Sequence, residues 1–266
     1  MTATLPLSEE QFHRYARHLI LDEVGEEGQA RLLRSRVLVL GAGGLGSPLI
    51  LYLAAAGVGT IGVVDNDMVE LSNLQRQVIH ANDRLGQAKT ESAALSVAGL
   101  NPDIRVVQHR LRLDAGNVHE LIADYDLVAD GSDNFATRYV LNDACYFAGK
   151  TLVSAALLRF DAQLSTFKAH LGGDNPCFRC LHPAAPPPGL VPRCEEAGIL
   201  GALAGAVGSL QATEVLKELL GLGQGLSGRL LLYDALGAEF LTIRLKPNPA
   251  CPLCGEHPTI ARPKGR

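Results

Sequence analysis

The chain has 266 residues, 47% of them apolar and 20% charged, enough to bury a substantial core and ordinary for a globular protein. Its formal charge of −4 argues against non-specific nucleic-acid binding, and no run nears the roughly 18 apolar residues of a membrane-spanning helix. The N-terminal "MTATLPLSEEQFHRYARHL" lacks a signal layout, so the expectation is a cytoplasmic protein with neither a membrane nor a nucleic-acid partner.

Residues 8–34 carry apolar positions at helical spacing (Phe12, Tyr15, Ala16, Leu19, Ile20), and Ser8 before Glu9 and Glu10 suits a capped start. Val37–Leu40 reads as a short buried strand, Gly46–Ala56 as a helix stopped at Gly57, and Thr60–Val64 as a second strand. Gly86–Leu100 is predicted to be a helix ended by Asn101-Pro102, Ile104–Gln108 a strand, Asn117–Ala123 a helix and Leu127–Ala129 a strand. A helix then runs to about Phe147, and a strand follows at Thr151–Ser154. Strands alternating with helices predict an α/β fold with a doubly wound, Rossmann-like parallel sheet.

After residue 155 the texture changes. Leu157–Ala169 looks like a strand or hairpin arm, 172–198 is irregular and Pro-rich, Leu200–Leu220 is a small-residue helix, and Gly228–Leu245 supplies two strands. The expectation is one continuous domain over 1–266, with N-terminal helices (1–35), a nucleotide-binding half (36–155) and a second half (156–266) that adds antiparallel strands.

Gly41, Gly43 and Gly46 form G-x-G-x-x-G directly after a strand and at a helix start. Such a turn lets backbone approach a phosphate, and the helix N-terminus favours an anion. Asp65 ends the second strand, where an acid accepts hydrogen bonds from ribose hydroxyls. This fingerprint alone does not choose between a nicotinamide dinucleotide and ATP. The polar stretch "DNDMVELSNLQRQ" (65–77) adds Asp67, Asn73, Arg76 and Gln77, and Lys89 follows. Two cations beside phosphates suit attack on ATP, whose oxygens and leaving pyrophosphate need neutralising, whereas in hydride transfer the nicotinamide carries the chemistry. "DGSDN" (130–134) places Asp133 at the carboxyl edge of the sheet, where a Mg²⁺ ligand would sit.

Of six cysteines, four form two Cys-x-x-Cys pairs, Cys177/Cys180 and Cys251/Cys254. In a reducing compartment this spacing points to a closed, four-thiolate structural zinc site, with a redox pair or iron ligation as the competing readings. A full cysteine set leaves no vacancy for His182 or His257, which are expected at the surface. Cys145, on an apolar helix, is expected to be a buried small hydrophobe. Cys194 stands alone in a loop, beside Arg193 and before Glu195 and Glu196, which oppose thiolate formation.

These features together resemble the MoeB/ThiF/HesA adenylyltransferases, the bacterial relatives of ubiquitin-activating enzymes, and most nearly their molybdopterin-synthase branch. The resemblance rests on "RYARHLIL" (14–21), "GAGGLGS" (41–47), "DNDMVELSNLQRQ" (65–77), "GQAKTESA" (86–93), "DGSDNFATR" (130–138), "CEEAGILG" (194–201) and the two cysteine pairs, spread over almost the whole chain.

The family adenylates the C-terminal glycine of a small ubiquitin-like sulfur carrier ending in Gly-Gly, for molybdopterin, thiamine or tRNA-thiolation pathways. Carried over, Gly41, Gly43, Gly44 and Gly46 would contact ATP and Asp65 the ribose. Asn73, Arg76 and Lys89 would bind the phosphates, with Asp67, Ser72 and Gln77 bordering them, and Asp133 would hold Mg²⁺ beside Asn134. Arg17 matches an arginine supplied to the ATP site of the other subunit, which implies a homodimer. Cys194 falls where some relatives form a covalent link to the carrier, although others adenylate without it. The second half would bind the carrier. Sulfur is expected from a separate donor, a cysteine desulfurase or rhodanese. Two alternatives stay open: an NAD(P)-dependent oxidoreductase, and a zinc-braced binder of ubiquitin-like proteins without turnover. The mark of the latter would be loss of Arg76, Lys89 or Asp133, and all three are present.

Overall fold

Val37 and Val39 on strand β1 (Arg36–Leu40) pack into one apolar cluster and Leu38 and Leu40 into another, because successive side chains leave a strand on opposite faces. Both faces are therefore covered, as a parallel sheet requires. The computed structural model describes residues 7–187 and 198–261.

The sheet has eight strands in the order β3-β2-β1-β4-β5-β6-β7-β8. Strands β1, β2 (Thr60–Val64), β3 (Arg105–His109), β4 (Leu127–Asp130) and the start of β5 (Thr151–Leu158) run parallel. Strands β6 (Asp161–Phe167), β7 (Arg229–Asp234) and β8 (Glu239–Arg244) are added antiparallel. The predicted doubly wound sheet with an antiparallel second half is thus the observed one.

Helices α1 (Glu9–Arg14), α2 (Ala16–Leu19) and α3 (Gly25–Arg34) precede the sheet, and the predicted Ser8 cap is present as a reciprocal pair with Gln11. Helices α4 (Gly46–Ala56) and α5 (Lys89–Leu100) follow β1 and β2, while α6 (Val118–Ala123) and α7 (Phe135–Ala148) flank β4. Helix α8 (Phe178–Leu181) is short, and the long α9 (Gly201–Leu220) lies along α4, so closely that a Cβ at Gly208 would come within 2.4 Å of the Leu45 carbonyl oxygen.

Several boundaries differ from the sequence reading, most by a residue or two, and three are instructive. Helix α5 starts at Lys89 rather than Gly86, because Gly86 has φ +78° and its N–H donates to the Val69 carbonyl, while Val69 N–H donates to that of Gln87. Strand β3 is displaced by one residue from Ile104–Gln108. Strand β5 continues to Leu158 because its far end pairs with β6 in a hairpin turning at Arg159, which adopts φ +56°.

Candidate functional site

The sheet order reverses between β1 and β4, and the loops leaving their carboxyl ends touch. Gly131 N–H donates to the Leu40 carbonyl (3.0 Å), and a Cβ at Gly41 would stand 3.3 Å from the Gly131 oxygen. This is the place where an open α/β sheet forms its ligand crevice.

The predicted glycine turn spans it. Gly41 adopts φ +91°, and a Cβ at Gly46 would lie 1.8 Å from the Gly41 carbonyl oxygen, so no other residue fits there. Gly43 and Gly44 line the turn: Gln77 Nε2 lies 3.7 Å from a Cβ position on Gly43, and the Arg76 methylenes lie 3.6–3.7 Å from one on Gly44. The Gln77 side chain is buried, and its Oε1 has no partner among the described residues. Arg76 Nη1 donates to the Ser72 carbonyl (3.0 Å), and its guanidinium forms no ion pair among the described residues.

Asp65, at the end of β2, uses both carboxylate oxygens on backbone: Oδ2 accepts from Ala42 N–H and Oδ1 from Asp67 N–H, each at 2.9 Å. Burial pushes its carboxyl above the ordinary carboxylate range, against the pull of the Lys89 charge and the two N–H donors. Lys89 is buried and gives its Nζ to Asp67 Oδ2 at 2.8 Å. Asn73 is buried too, with Oδ1 accepting from Glu70 N–H and Nδ2 3.4 Å from the exposed Ser72 hydroxyl. It shapes the short 3₁₀ turn Leu71–Asn73 that carries Arg76.

After β4, Asp133 is exposed, and its Oδ1 accepts from Asn134 Nδ2 (3.2 Å). Asn134 caps α7 by accepting from Thr137 N–H (2.9 Å). The residue the sequence reading missed here is Asp130. It is fully buried, accepting from the Ser154 hydroxyl (2.7 Å) and from Ser132 N–H (2.9 Å), with Arg138 Nε 3.9 Å away. Arg138 Nη2 in turn donates to the Ser132 carbonyl (2.5 Å). The loop presenting Asp133 is therefore held from beneath at Ser132. Gln211, on α9, donates to the Asp130 and Val153 carbonyls (2.8 and 3.1 Å).

His80 was missed as well. It is buried, with Nε2 2.9 Å from the Ala42 carbonyl and Nδ1 2.9 Å from the Ser92 hydroxyl. Burial is the main reason its pKa drops to about 4, with Lys89 and Arg84 adding to the effect, so the ring is neutral.

The structure brings Gly41, Gly43, Gly44, Gly46, Asp65, Asp67, Arg76, Gln77 and Lys89 into one contact group, joined through Gly41 and Gly131 to the loop of Asp133. Arg17 is exposed on α2, and no described contact links it to this group. Cys194 lies outside the described residues. Cys145 is buried, as expected, and burial drives its thiol pKa upward. His257 is exposed, also as expected. His182 is half-buried rather than fully at the surface: its ring packs 4.9 Å from Phe178 and 5.4 Å edge-on to Phe135, and burial lowers its pKa.

The four paired cysteines converge. Their sulfurs all lie within 4.8 Å of one another, with pairs at 3.4–3.9 Å. Tetrahedral zinc–thiolate geometry requires about 3.8 Å between sulfurs. Four such thiols cannot all ionise without a cation. Hydrogen bonding with Cys180 and Cys254, then burial, pushes the Cys177 thiol up. The group can therefore hold a metal ion, and with four sulfurs it leaves no open position. It clasps the C-terminal segment to α8 and the end of α7, where Tyr146 and Phe147 pack against it.

Residues 15–253 match the model of the ThiF family. The SAMP-activating enzyme E1 of Haloferax volcanii is 56% identical over 253 residues, which is 95% of this chain and 92% of that protein. The sulfur carrier protein adenylyltransferase of Thermus thermophilus is 51% identical over 254 residues, 95% of this chain and 94% of that protein. Among solved structures, Escherichia coli MccB superposes with a TM-score of 0.80 at 22% identity, covering 98% of this chain and 76% of that one, a likeness of fold.

Proposed function

Because the chain belongs to the ThiF family, we propose that it adenylates the C-terminal glycine of a small ubiquitin-like sulfur-carrier protein at the expense of ATP. The observation that carries the reading is Arg76, laid over Gly44 with no ion pair among the described residues, together with the buried Lys89 at the start of α5, which is tied to the same glycine turn through Asp67 and Asp65.

In the proposed reaction a carboxylate oxygen of the carrier's terminal glycine bonds to the α-phosphorus, and the α–β phosphoanhydride bond breaks to release pyrophosphate. The α-carboxyl ionises near pH 3.5, so no general base is required at neutral pH. The protein's work is alignment and charge neutralisation. The turn from Gly41 to Gly46 would receive the phosphates on backbone N–H groups, and Asp65 would meet the ribose. Arg76 and Lys89 would offset charge on the phosphates and the leaving pyrophosphate, and Asn73 would hydrogen-bond to a phosphate. Asp133, whose Oδ2 makes no hydrogen bond among the described residues, would hold Mg²⁺, which supplies further charge neutralisation. Arg17 would serve the site of a partner copy in a homodimer, and Cys194 would be the candidate for a covalent link to the carrier.

Cys177, Cys180, Cys251 and Cys254 would hold zinc as a structural ion. The carrier's body would meet the second half of the chain, where Phe160, Leu236, Phe240 and Leu241 are exposed. A separate protein would donate sulfur. Among the described residues no helix is long and apolar enough to cross a membrane, in keeping with a cytoplasmic setting.

The test is carrier-dependent ATP–pyrophosphate exchange with purified protein. Arg76→Ala and Asp133→Ala are each expected to lower exchange by a factor of about 100 or more. Exchange that persists in both variants, or that no Gly-Gly-ending carrier of the same genome elicits from the wild type, would refute the assignment.

A further inference from the structure

The glycine turn is not free to choose its own shape. Ala42, at its centre and fully buried, is held from both sides: its N–H donates to Asp65 Oδ2 (2.9 Å), and its carbonyl faces His80 Nε2 (2.9 Å). A carbonyl only accepts, so the ring proton sits on Nε2, and Nδ1 takes the hydroxyl proton of Ser92 at 2.9 Å. The tautomer is fixed by its two neighbours.

The two contacts fall on successive peptide units. A peptide is planar and trans, so the Ala42 carbonyl and the Gly43 N–H lie in one rigid plane and point in opposite directions within it. Whatever grips the Ala42 carbonyl also aims the Gly43 N–H. That N–H has no hydrogen-bond partner among the described residues, while the Gly43 carbonyl is occupied by the backbone and hydroxyl of Ser47 (2.9 and 2.6 Å).

The same contacts close a ring. From Ala42 the bonds run to Asp65, then to the Asp67 backbone (2.9 Å), and from the Asp67 carboxylate to Lys89 Nζ (2.8 Å). Lys89 is the first residue of α5, and Ser92 lies on the same helix's first turn. Ser92 returns the circuit through His80 to Ala42. The distance between the phosphate turn and the buried Lys89 is therefore set from two directions, and His80 supplies the second.

We propose that His80 is a positioning residue for nucleotide binding, aiming the Gly43 N–H at the phosphates and locking the glycine turn to the helix that carries Lys89. This rests on the adenylation reading above. His80 does not touch the reacting atoms. Its removal should weaken the hold on ATP and leave the carrier's docking alone.

The experiment compares His80→Ala, His80→Gln and Ser92→Ala with the wild type, reading KM for ATP and for the carrier in pyrophosphate exchange, together with equilibrium ATP binding. His80→Ala is expected to raise the ATP constant about tenfold, the value of one hydrogen bond, with carrier KM unchanged. Ser92→Ala should raise it about two- to threefold, since the ring keeps its carbonyl but loses its own support. His80→Gln, whose amide can donate to the same carbonyl, should recover part of the loss. An unchanged ATP constant in His80→Ala, or equal rises for ATP and carrier, would overturn the proposal. Should His80→Ala fail to fold, wild-type ATP constants in both other variants would do so. A wild type without exchange in any carrier's presence would count against adenylation itself. Equilibrium ATP binding would then still decide whether His80 positions the turn.

Discussion

Strands β1, β2 and β4 are buried along nearly their whole length, whereas every residue of β8 is exposed. In the parallel half, apolar side chains on both faces hold the strands, and polar chemistry is left only at their carboxyl ends. There Asp65 and Asp130 do the same job: each accepts the N–H two residues downstream and so shapes the loop that follows. Among the antiparallel strands β6 is still largely buried, but β7 is only partly covered and β8 lies open. This side of the molecule is held by further devices: the four cysteines, the paired bonds of Arg179 to Asp143 (2.7 Å each) and a ring cluster that ties Phe167 on β6 to Phe135, Tyr139 and Phe178 on the helices. One half is built to be rigid at a crevice, the other to present a surface held by clasps.

The largest effect should come from opening the cysteine clasp. If the four cysteines hold a metal as proposed, its chelation, or Cys251→Ser, is expected to cost on the order of 5 kcal/mol in chemical unfolding, because a structural site adds its binding energy to folding. Amide exchange should then rise around 177–181 and 246–261 while β1, β2 and β4 stay protected. A uniform rise over both halves would show that the clasp supports the whole sheet, and the contrast between halves would fail.

Much of the parallel half was legible because its signals are local. Strand runs, the glycine spacing and Gly57 as a helix stop all lie within a few residues of what they control. The cysteine pairs were legible by chemistry, since thiol pairs in a reducing setting have few uses. Asp130, Gln211 and His80 carried no such mark. His80 lies 38 positions from the carbonyl it holds and Gln211 lies 81 from Asp130, and neither separation leaves a periodic trace. The same reasoning explains His182, which looked like a surface residue beside a knuckle and proved to be part of an aromatic cluster formed across three elements. The start of α5 was misplaced for the converse reason: a helix-like sequence was overruled by the positive φ of Gly86 and its pairing with Val69.

Acid should strain the crevice next. His80 has a folded pKa of about 4 against an ordinary 6.5, so between these values the unfolded chain binds the proton and the folded one does not. Its contribution is complete above pH 6.5 and lost as the pH falls toward 4, about 3 kcal/mol in all and about 2 kcal/mol by pH 5. Asp65, whose carboxyl is raised by burial, works in the opposite sense, its contribution being lost as the pH rises through its folded value. His109, His170 and His182, all lowered by burial, add slopes of the same sign as His80. Urea unfolding at pH 7 and pH 5 should therefore show a drop that His80→Gln makes shallower. An equal drop in the variant would mean that His80 is not held neutral.

The smallest effect tests the exposed edge. Phe240 on β8 stands opposite Tyr233 on β7, their rings stacked at 4.1 Å and 5° apart, yet Phe240 is 56% exposed. A cross-strand aromatic pair of this kind contributes about 0.5–1 kcal/mol, so Phe240→Ala should barely move the unfolding midpoint. If the antiparallel half receives the carrier, the same variant should raise the carrier's KM several-fold while the ATP constant stays put, the mirror image of the His80 variants. A loss of stability beyond about 2 kcal/mol would instead make Phe240 part of the core and β8 no free edge. An unchanged carrier KM would move the docking surface off this strand.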